Sequence, residues 1–239
     1  MKALILAAGE GTRLGALTRG RPKPMLPVGG RPLLEHQLDL LRHHGIIEVA
    51  INLHYKPQSI VEYLGDGSRF GVSITYSSET RLLGSAGAAK RLGWFFRDSF
   101  LVMYGDLLTD LDLSLLMERH RTSSGLATLA LCSPDDPTRC GMVEVSAEGR
   151  VREFIEKPTA EVVQGHLANA GIYVLEPEVL TYIPPDRPWD FGYDVFPSML
   201  ALGLPLFAYQ VPGYVLDIGT PDRYAQAEVD LSAGLLVPA

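Results

Sequence analysis

The chain has 239 residues, 46% hydrophobic and 21% charged, with a formal net charge of −7. That length buries a sizeable core and suits one α/β domain, and the composition excludes a disordered chain. The acidity argues against a general nucleic-acid binder, whose footprint is basic, but leaves an anionic small substrate open.

No run of about 18 apolar residues predicts a membrane span. The short apolar run 3–8 ends in glycine, not at a signal-peptide cleavage site, so a cytoplasmic protein is expected. Cys132 and Cys140 form no CxxC pattern and read as free thiols of a reducing compartment.

ALILAA (3–8) predicts a strand buried on both faces and ending at a glycine loop. RPLLEHQLDLLRHHG (31–45) predicts a helix with Leu33, Leu34, Gln37, Leu38 and Leu41 on one side, Pro32 near its start and Gly45 past its end. IIEVAINL (46–53) is a second strand, PQSIVEYLG (57–65) a short helix and VSITYS (72–77) a third strand. SAGAAKRLGWFF (85–96) reads as a helix and FLVMYGD (100–106) as a fourth strand ending in Asp106. This alternation predicts a mainly parallel sheet with helices on both faces, and such sheets bind ligands beyond the strands' carboxyl ends.

Further on, GMVEVSAEGRVREFIEKP (141–158) predicts two strands around a Glu148-Gly149 turn, and HLANAGIYVLEP (166–177) another strand. YDVFPSMLALG (193–203) predicts a helix and PLFAYQV (205–211) a strand. A last strand ends at Asp217, and a helix starts around Thr220-Pro221. No linker and no repeat is visible, so residues 1–239 are expected to form a single domain with a small β subregion covering the ligand. Trp94, Phe95, Phe96 and Phe154 are expected in the core, Glu10 in solvent. The histidines show no metal spacing, and His43-His44 suits a helix C-terminus.

The loop after the first strand carries the chemistry. Gly9 and Gly11 begin a dinucleotide fingerprint, but Leu14 takes the place of its third glycine. Gly15 is followed by Ala16, so the loop is not a P-loop either. Backbone N–H groups with Arg13 and Lys23 nevertheless suit a polyphosphate. Pro22 and Pro24 restrict the backbone around Lys23, which lowers the entropy lost on meeting a ligand.

LAAGEGTRLGALTRGRPKPMLPVGGRPLLEH (6–36) resembles the signature of the sugar-1-phosphate nucleotidyltransferases. The similarity continues through LGSAGAA (83–89), YGD (104–106), EKP (156–158), NAGIYV (169–174), DVFP (194–197) and DIGTPDRY (217–224), nearly the whole chain. The resemblance implies a Rossmann-like nucleotidyltransferase fold. It also implies transfer of a nucleoside monophosphate from a nucleoside triphosphate to a sugar-1-phosphate, with Mg²⁺ as cofactor and pyrophosphate as by-product.

The roles it implies are these. Leu6, Ala7, Ala8, Gly9, Gly11 and Thr12 meet the nucleotide, with Arg13 and Lys23 neutralising its phosphates. Gly84 and Ser85 approach the base. Asp106 and Asp217 hold the metal. Gly141, Glu156, Asn169 and Gly171 contact the sugar, with Asp217 beside them, and Lys157 holds its phosphate. Arg13, Lys23 and Lys157 are the implied catalytic cations, and Tyr214 is a further candidate sugar contact.

FGYDVFP and GYVLDIGTPDRY look most like the compact mannose-1-phosphate guanylyltransferase group, which ranks GTP with mannose- or heptose-1-phosphate first. UTP or dTTP with a hexose-1-phosphate is the alternative. No C-terminal β-helix repeat is visible, and a homo-oligomer is left open. A GT-A-type glycosyltransferase would carry an Asp-x-Asp motif, which the spacing of Asp106 and Asp110 does not match. A non-catalytic nucleotide-sugar-sensing subunit would be expected to lose Arg13, Lys23, Asp106 or Asp217, and all four are present.

Overall fold

The computed structural model describes residues 1–133, 136–159, 166–210 and 212–236. The chain forms two compact units: Met1–Leu82 with Met103–Leu111 and Gly213–Ala239, and Leu83–Val102 with Asp112–Pro212.

In chain order the first elements are β1 (Lys2–Leu6), β2 (Pro27–Val28), β3 (Arg31–Pro32), α1 (Leu33–His43), β4 (Glu48–Leu53), α2 (Pro57–Leu64) and β5 (Ser73–Ser78). Next come α3 (Gly84–Arg91), β6 (Phe100–Tyr104), β7 (Leu107–Thr109), α4 (Leu113–Ser123), β8 (Ala127–Cys132), β9 (Gly141–Val145) and β10 (Val151–Glu156). The last are β11 (Leu167–Leu175), α5 (Phe196–Ala201), β12 (Leu206–Gln210), β13 (Val215–Asp217) and α6 (Pro221–Ser232).

In the first unit β4 runs parallel to both β1 and β5. β1 and β4 bury their centres completely, as a continuous apolar run requires when both sheet faces are covered. α1 buries Leu33, Leu34, Gln37, Leu38 and Leu41 on its expected face, and Gly45 ends it at φ +73°. β13 pairs antiparallel with β7. Below them Leu14, Leu26, Leu33, Leu108, Ile218 and Leu236 form one apolar cluster. Each fully buried leucine of this kind contributes roughly 2 kcal/mol of transfer free energy.

In the second unit β8 pairs parallel with β12 and antiparallel with β11. β11 also pairs antiparallel with β9, and β9 with β10 across the expected Gly149 turn, φ +79°. Tyr173, Phe191, Phe196 and Phe154 pack ring against ring at its centre. The fold is thus α/β with a mostly parallel sheet around β1.

Four details differ from expectation. The helix expected over 85–96 stops at Arg91, because the Gly93 N–H turns back to the Lys90 carbonyl at 3.1 Å. That turn points Trp94 outward, 68% exposed, while Phe95 and Phe96 stay buried; Trp94 is not a core residue. The helix expected from 193 is preceded by a π-turn over Phe191–Val195. α4 and β8 lie where no element is read from the sequence. Asp112 caps α4 by accepting from the Ser114 N–H. Cys132 and Cys140 carry no disulfide. Among the described residues, no helix is long and apolar enough to cross a membrane.

Candidate active site

In the first unit the expected residues lie at the carboxyl end of β1. The Ala7 N–H donates to Asn52 Oδ1 at 2.8 Å, and Asn52 Nδ2 donates to Glu79 Oε1 at 2.8 Å. Asn52 and Glu79 are both buried, so the start of the loop is fixed by a satisfied polar network. Ala7 and Ala8 are buried, whereas Gly9, Glu10, Thr12 and Arg13 are exposed. A side chain at Gly9 would meet nothing within 4 Å, so the backbone there is open to approach. Gly11 sits at φ +64°, and its carbonyl accepts from the Leu14 N–H at 3.0 Å and the Thr18 hydroxyl at 3.1 Å.

Lys23 lies at the centre. It is only 7% exposed, held by Pro22 and Pro24 in a 3-10 turn. A buried ammonium must be paired. Its Nζ makes an ion pair with Asp106 and a second, 3.5 Å long, with Asp217. The strands explain the meeting. Asp217 is paired with Leu107 across β13 and β7, and the Ile218 N–H donates to the Asp106 carbonyl at 2.9 Å. Gln37 of α1 fixes the same turn by donating Nε2 to the carbonyls of Tyr104 (2.9 Å) and Leu107 (2.8 Å).

Gly105 permits this turn because a Cβ there would sit 2.7 Å from the Leu6 carbonyl oxygen. Burial, and then the Asp106 charge, push the Asp217 carboxyl above the usual range, while Lys23 and Arg13 oppose the rise. Two carboxylates brought to one ammonium, with nearly half of the Asp217 side chain open to solvent, are a donor set that fits a hard divalent ion.

The second unit carries the other expected residues. Gly84 starts α3 at φ +71°, where a Cβ would lie 2.5 Å from the Trp189 carbonyl oxygen. That oxygen accepts from the N–H groups of Ala86 (2.9 Å) and Gly87 (3.0 Å). The Ser85 hydroxyl donates to Asp190 Oδ2 at 2.7 Å and accepts from the Phe191 N–H at 2.9 Å. Asp190 also accepts from the Gly192 N–H at 3.0 Å, so one carboxylate ties α3 to the π-turn.

Glu156 pairs in register with Gly141 across β10 and β9. Its Oε2 would lie 2.6 Å from a Cβ at Gly141 and 2.5 Å from one at Gly192, so the two glycines make the cleft it occupies. Burial raises the Glu156 carboxyl, Lys157 opposes the rise and Asp190 adds to it. Lys157, at φ +50°, is half exposed, with Nζ 3.8 Å from Glu156 Oε1 and 5.3 Å from the centre of the Tyr193 ring. Asn169 donates Nδ2 to the Tyr173 hydroxyl at 2.7 Å and accepts from the Gly171 N–H at 3.0 Å, with Gly171 at φ +74°.

The structure therefore gathers Leu6 to Arg13 with Lys23, Asp106 and Asp217 in the first unit. It places Gly84, Ser85, Gly141, Glu156, Lys157, Asn169 and Gly171 in the second. Sequence reasoning missed Asn52, Glu79, Gln37 and Asp190. A polar residue inside an apolar strand or helix face was the available signal for Asn52 and Gln37. Asp110 accepts from the Tyr214 N–H at 2.6 Å, which is a structural task, and the Tyr214 hydroxyl donates to Asp230 at 2.7 Å.

The family model described as nucleotidyl transferase matches residues 2–234. The chain belongs to this family. A Synechocystis UTP–glucose-1-phosphate uridylyltransferase is 39% identical over 95% of the chain. A mannose-1-phosphate guanylyltransferase of Mycobacterium tuberculosis is 37% identical over 98% of it. The nucleotidyl transferase chain spans 62% and 65% of the lengths of these two relatives. Among solved structures, a Bacillus anthracis protein provisionally assigned as a glucose-1-phosphate thymidylyltransferase superposes with a TM-score of 0.86 at 30% identity. That match covers 96% of this chain and 94% of the other.

Proposed function

We propose that the protein transfers a nucleoside monophosphate from a nucleoside triphosphate to a sugar-1-phosphate, releasing pyrophosphate. The observation that carries this reading is Lys23, a buried ammonium shared by Asp106 and Asp217 at the end of an open glycine loop. The sugar phosphate oxygen attacks the α-phosphorus and forms the new P–O bond as the bond to the β-phosphate oxygen breaks. The attacking oxygen is already ionised near neutral pH, so no general base is needed, and positioning with charge stabilisation supplies the acceleration.

Each group has a part. Gly9 and Gly11 let the triphosphate approach backbone N–H donors, and Arg13 and Lys23 offset its charge. Asp106 and Asp217 would hold Mg²⁺, which when bound supplies a Lewis acid to the phosphate oxygens. Glu156, Asn169 and Gly171 orient the sugar and Lys157 binds its phosphate, while Gly84 and Ser85 serve the base.

GTP with mannose-1-phosphate or a heptose-1-phosphate is the first substrate reading. Support comes from the similarity to mannose-1-phosphate guanylyltransferases, one of them 37% identical over 98% of the chain. UTP with glucose-1-phosphate is the second reading, favoured by the 39% identical uridylyltransferase. A matrix of nucleoside triphosphates against sugar-1-phosphates, read by pyrophosphate release, tests both. Release with GTP and mannose- or heptose-1-phosphate is expected. Release only with UTP or dTTP moves the assignment to the second reading, and release with no pair rejects the function.

A further inference from the structure

The sheet of the second unit carries a row of side chains that the transfer reaction does not use. Glu153 of β10 stands directly opposite Glu144 of β9. β11 pairs Leu167 with Val143 and Ala168 with Met142, so the same antiparallel register puts His166 opposite Glu144. Residues directly opposite share a face of the sheet, about 4.8 Å apart. Glu153, Glu144 and His166 thus form one line across three neighbouring strands.

The row is the product of an irregularity. Regular pairing onward from Val151 and Val145 would bring Arg152 opposite Glu144, a neutral pair. The register shifts between Val151 and Glu153 and substitutes a carboxylate for the arginine. Bulges of this kind re-aim side chains and are enriched at functional sites. Like charges directly opposite destabilise a sheet unless something neutralises them. One imidazolium would leave the row with a net negative charge. A divalent cation with neutral imidazole balances it.

The distances suit such an ion. One ligand atom from each of the three residues lies within 4.8 Å of the other two. His166 Nε2 is 3.4 Å from Glu153 Oε2. Bonds of about 2.05 Å at tetrahedral angles separate ligand atoms by about 3.3 Å, so this edge is already at length. The His166 ring is nine-tenths buried and therefore oriented, while the half-exposed Glu153 keeps the site open to solvent.

We propose that Glu144, Glu153 and His166 bind one first-row divalent transition metal ion, of the Zn²⁺ or Co²⁺ kind. Imidazole and carboxylate together select these over Mg²⁺, which prefers oxygen and water. The ion ties β9, β10 and the entry to β11, the strands that also carry Gly141, Glu156, Asn169 and Gly171. The site is separate from Asp106 and Asp217, and its assignment does not depend on the transfer reaction.

The test is a Zn²⁺ titration of the whole protein, stripped with a chelator and desalted, against a competing chromophoric chelator. Wild type is expected to take up one tight equivalent. His166→Gln and Glu153→Gln are expected to weaken it at least tenfold, and Asp217→Asn to leave it unchanged. At a fixed Zn²⁺ concentration the melting temperature should rise less in Glu153→Gln than in wild type. Metal-free Glu153→Gln should melt no lower than metal-free wild type, which guards against a folding defect. Equal Zn²⁺ affinity in His166→Gln and wild type would overturn the proposal, as would loss of the tight equivalent in Asp217→Asn.

Discussion

Lys23 was marked in the sequence by its two prolines, and Asp106 and Asp217 as metal ligands, but not as partners of that lysine. Asp106 and Asp217 are more than a hundred residues apart, and only the pairing of β13 with β7 brings them to one ammonium. The proton affinity of Asp217 gives a signed prediction. Its folded pKa is raised by burial and by Asp106 above the ordinary 3.8, so the folded state holds a proton that the unfolded state has lost. Such a group contributes stability that is present below pH 3.8 and lost as pH rises through the folded value. Asp217→Asn should therefore be as stable as wild type or more so at neutral pH in chelator, with the gain vanishing in acid. Urea midpoints across pH measure this. The same variant should lose most Mg²⁺-dependent turnover; wild-type turnover would remove Asp217 from the metal set. Lys157 is half exposed and projects beside Glu156 and Tyr193. Lys157→Ala should raise the KM for sugar-1-phosphate about tenfold, or about 1.4 kcal/mol, while nucleotide affinity stays within about twofold. Equal loss for both substrates, in initial-rate kinetics and nucleotide titration, would count against its role.

At the scale of elements, strands with clear punctuation were legible. β1, β4 and β5 are apolar or β-branched runs, and α1 carries proline before it and glycine after it. α4 and β8 were missed although Asp112 is a capping residue and ATLALC is an apolar run. β8 pairs with β11 and β12, which both lie far later in the chain, and such pairing leaves no local signature. Register was illegible for the same reason: the shift that aligns Glu153 with Glu144 depends on one extra residue. α4 also brings a buried histidine. His120 Nδ1 lies 2.9 Å from the Thr128 hydroxyl and Nε2 3.1 Å from Glu176 Oε1. Burial lowers its pKa below the ordinary 6.5, with Glu176 opposing. The unfolded chain then binds the proton first, so stability is full above pH 6.5 and falls as pH drops through the folded value. The slope contributed is at most about 1.4 kcal/mol per pH unit. Urea denaturation between about pH 7.5 and pH 5.5 should show this loss in wild type and not in His120→Asn; the same slope in both would exclude His120 as its source.

At the scale of the whole molecule, the family was legible because its motifs are long and lie at turns where chemistry leaves little choice of residue. The division into units was not, since the chain leaves the first unit at Leu82, returns for Met103–Leu111, and returns again at Gly213. Contiguous composition carries no trace of such interleaving. The choice of base and sugar was equally hidden, because discrimination between bases rests on a few hydrogen bonds, several of them from backbone groups. The central claim is cleavage between the α- and β-phosphates with transfer of the nucleotide to a sugar phosphate. It is tested most directly by following GTP labelled at the α- or the γ-phosphate in the presence of mannose-1-phosphate and Mg²⁺. The α-label should appear in a nucleoside-diphosphate sugar and the γ-label in pyrophosphate, both dependent on Asp106 and Asp217. Release of γ-label as orthophosphate, or no transfer of α-label to mannose-, heptose- or any hexose-1-phosphate with GTP, UTP or dTTP, would contradict it.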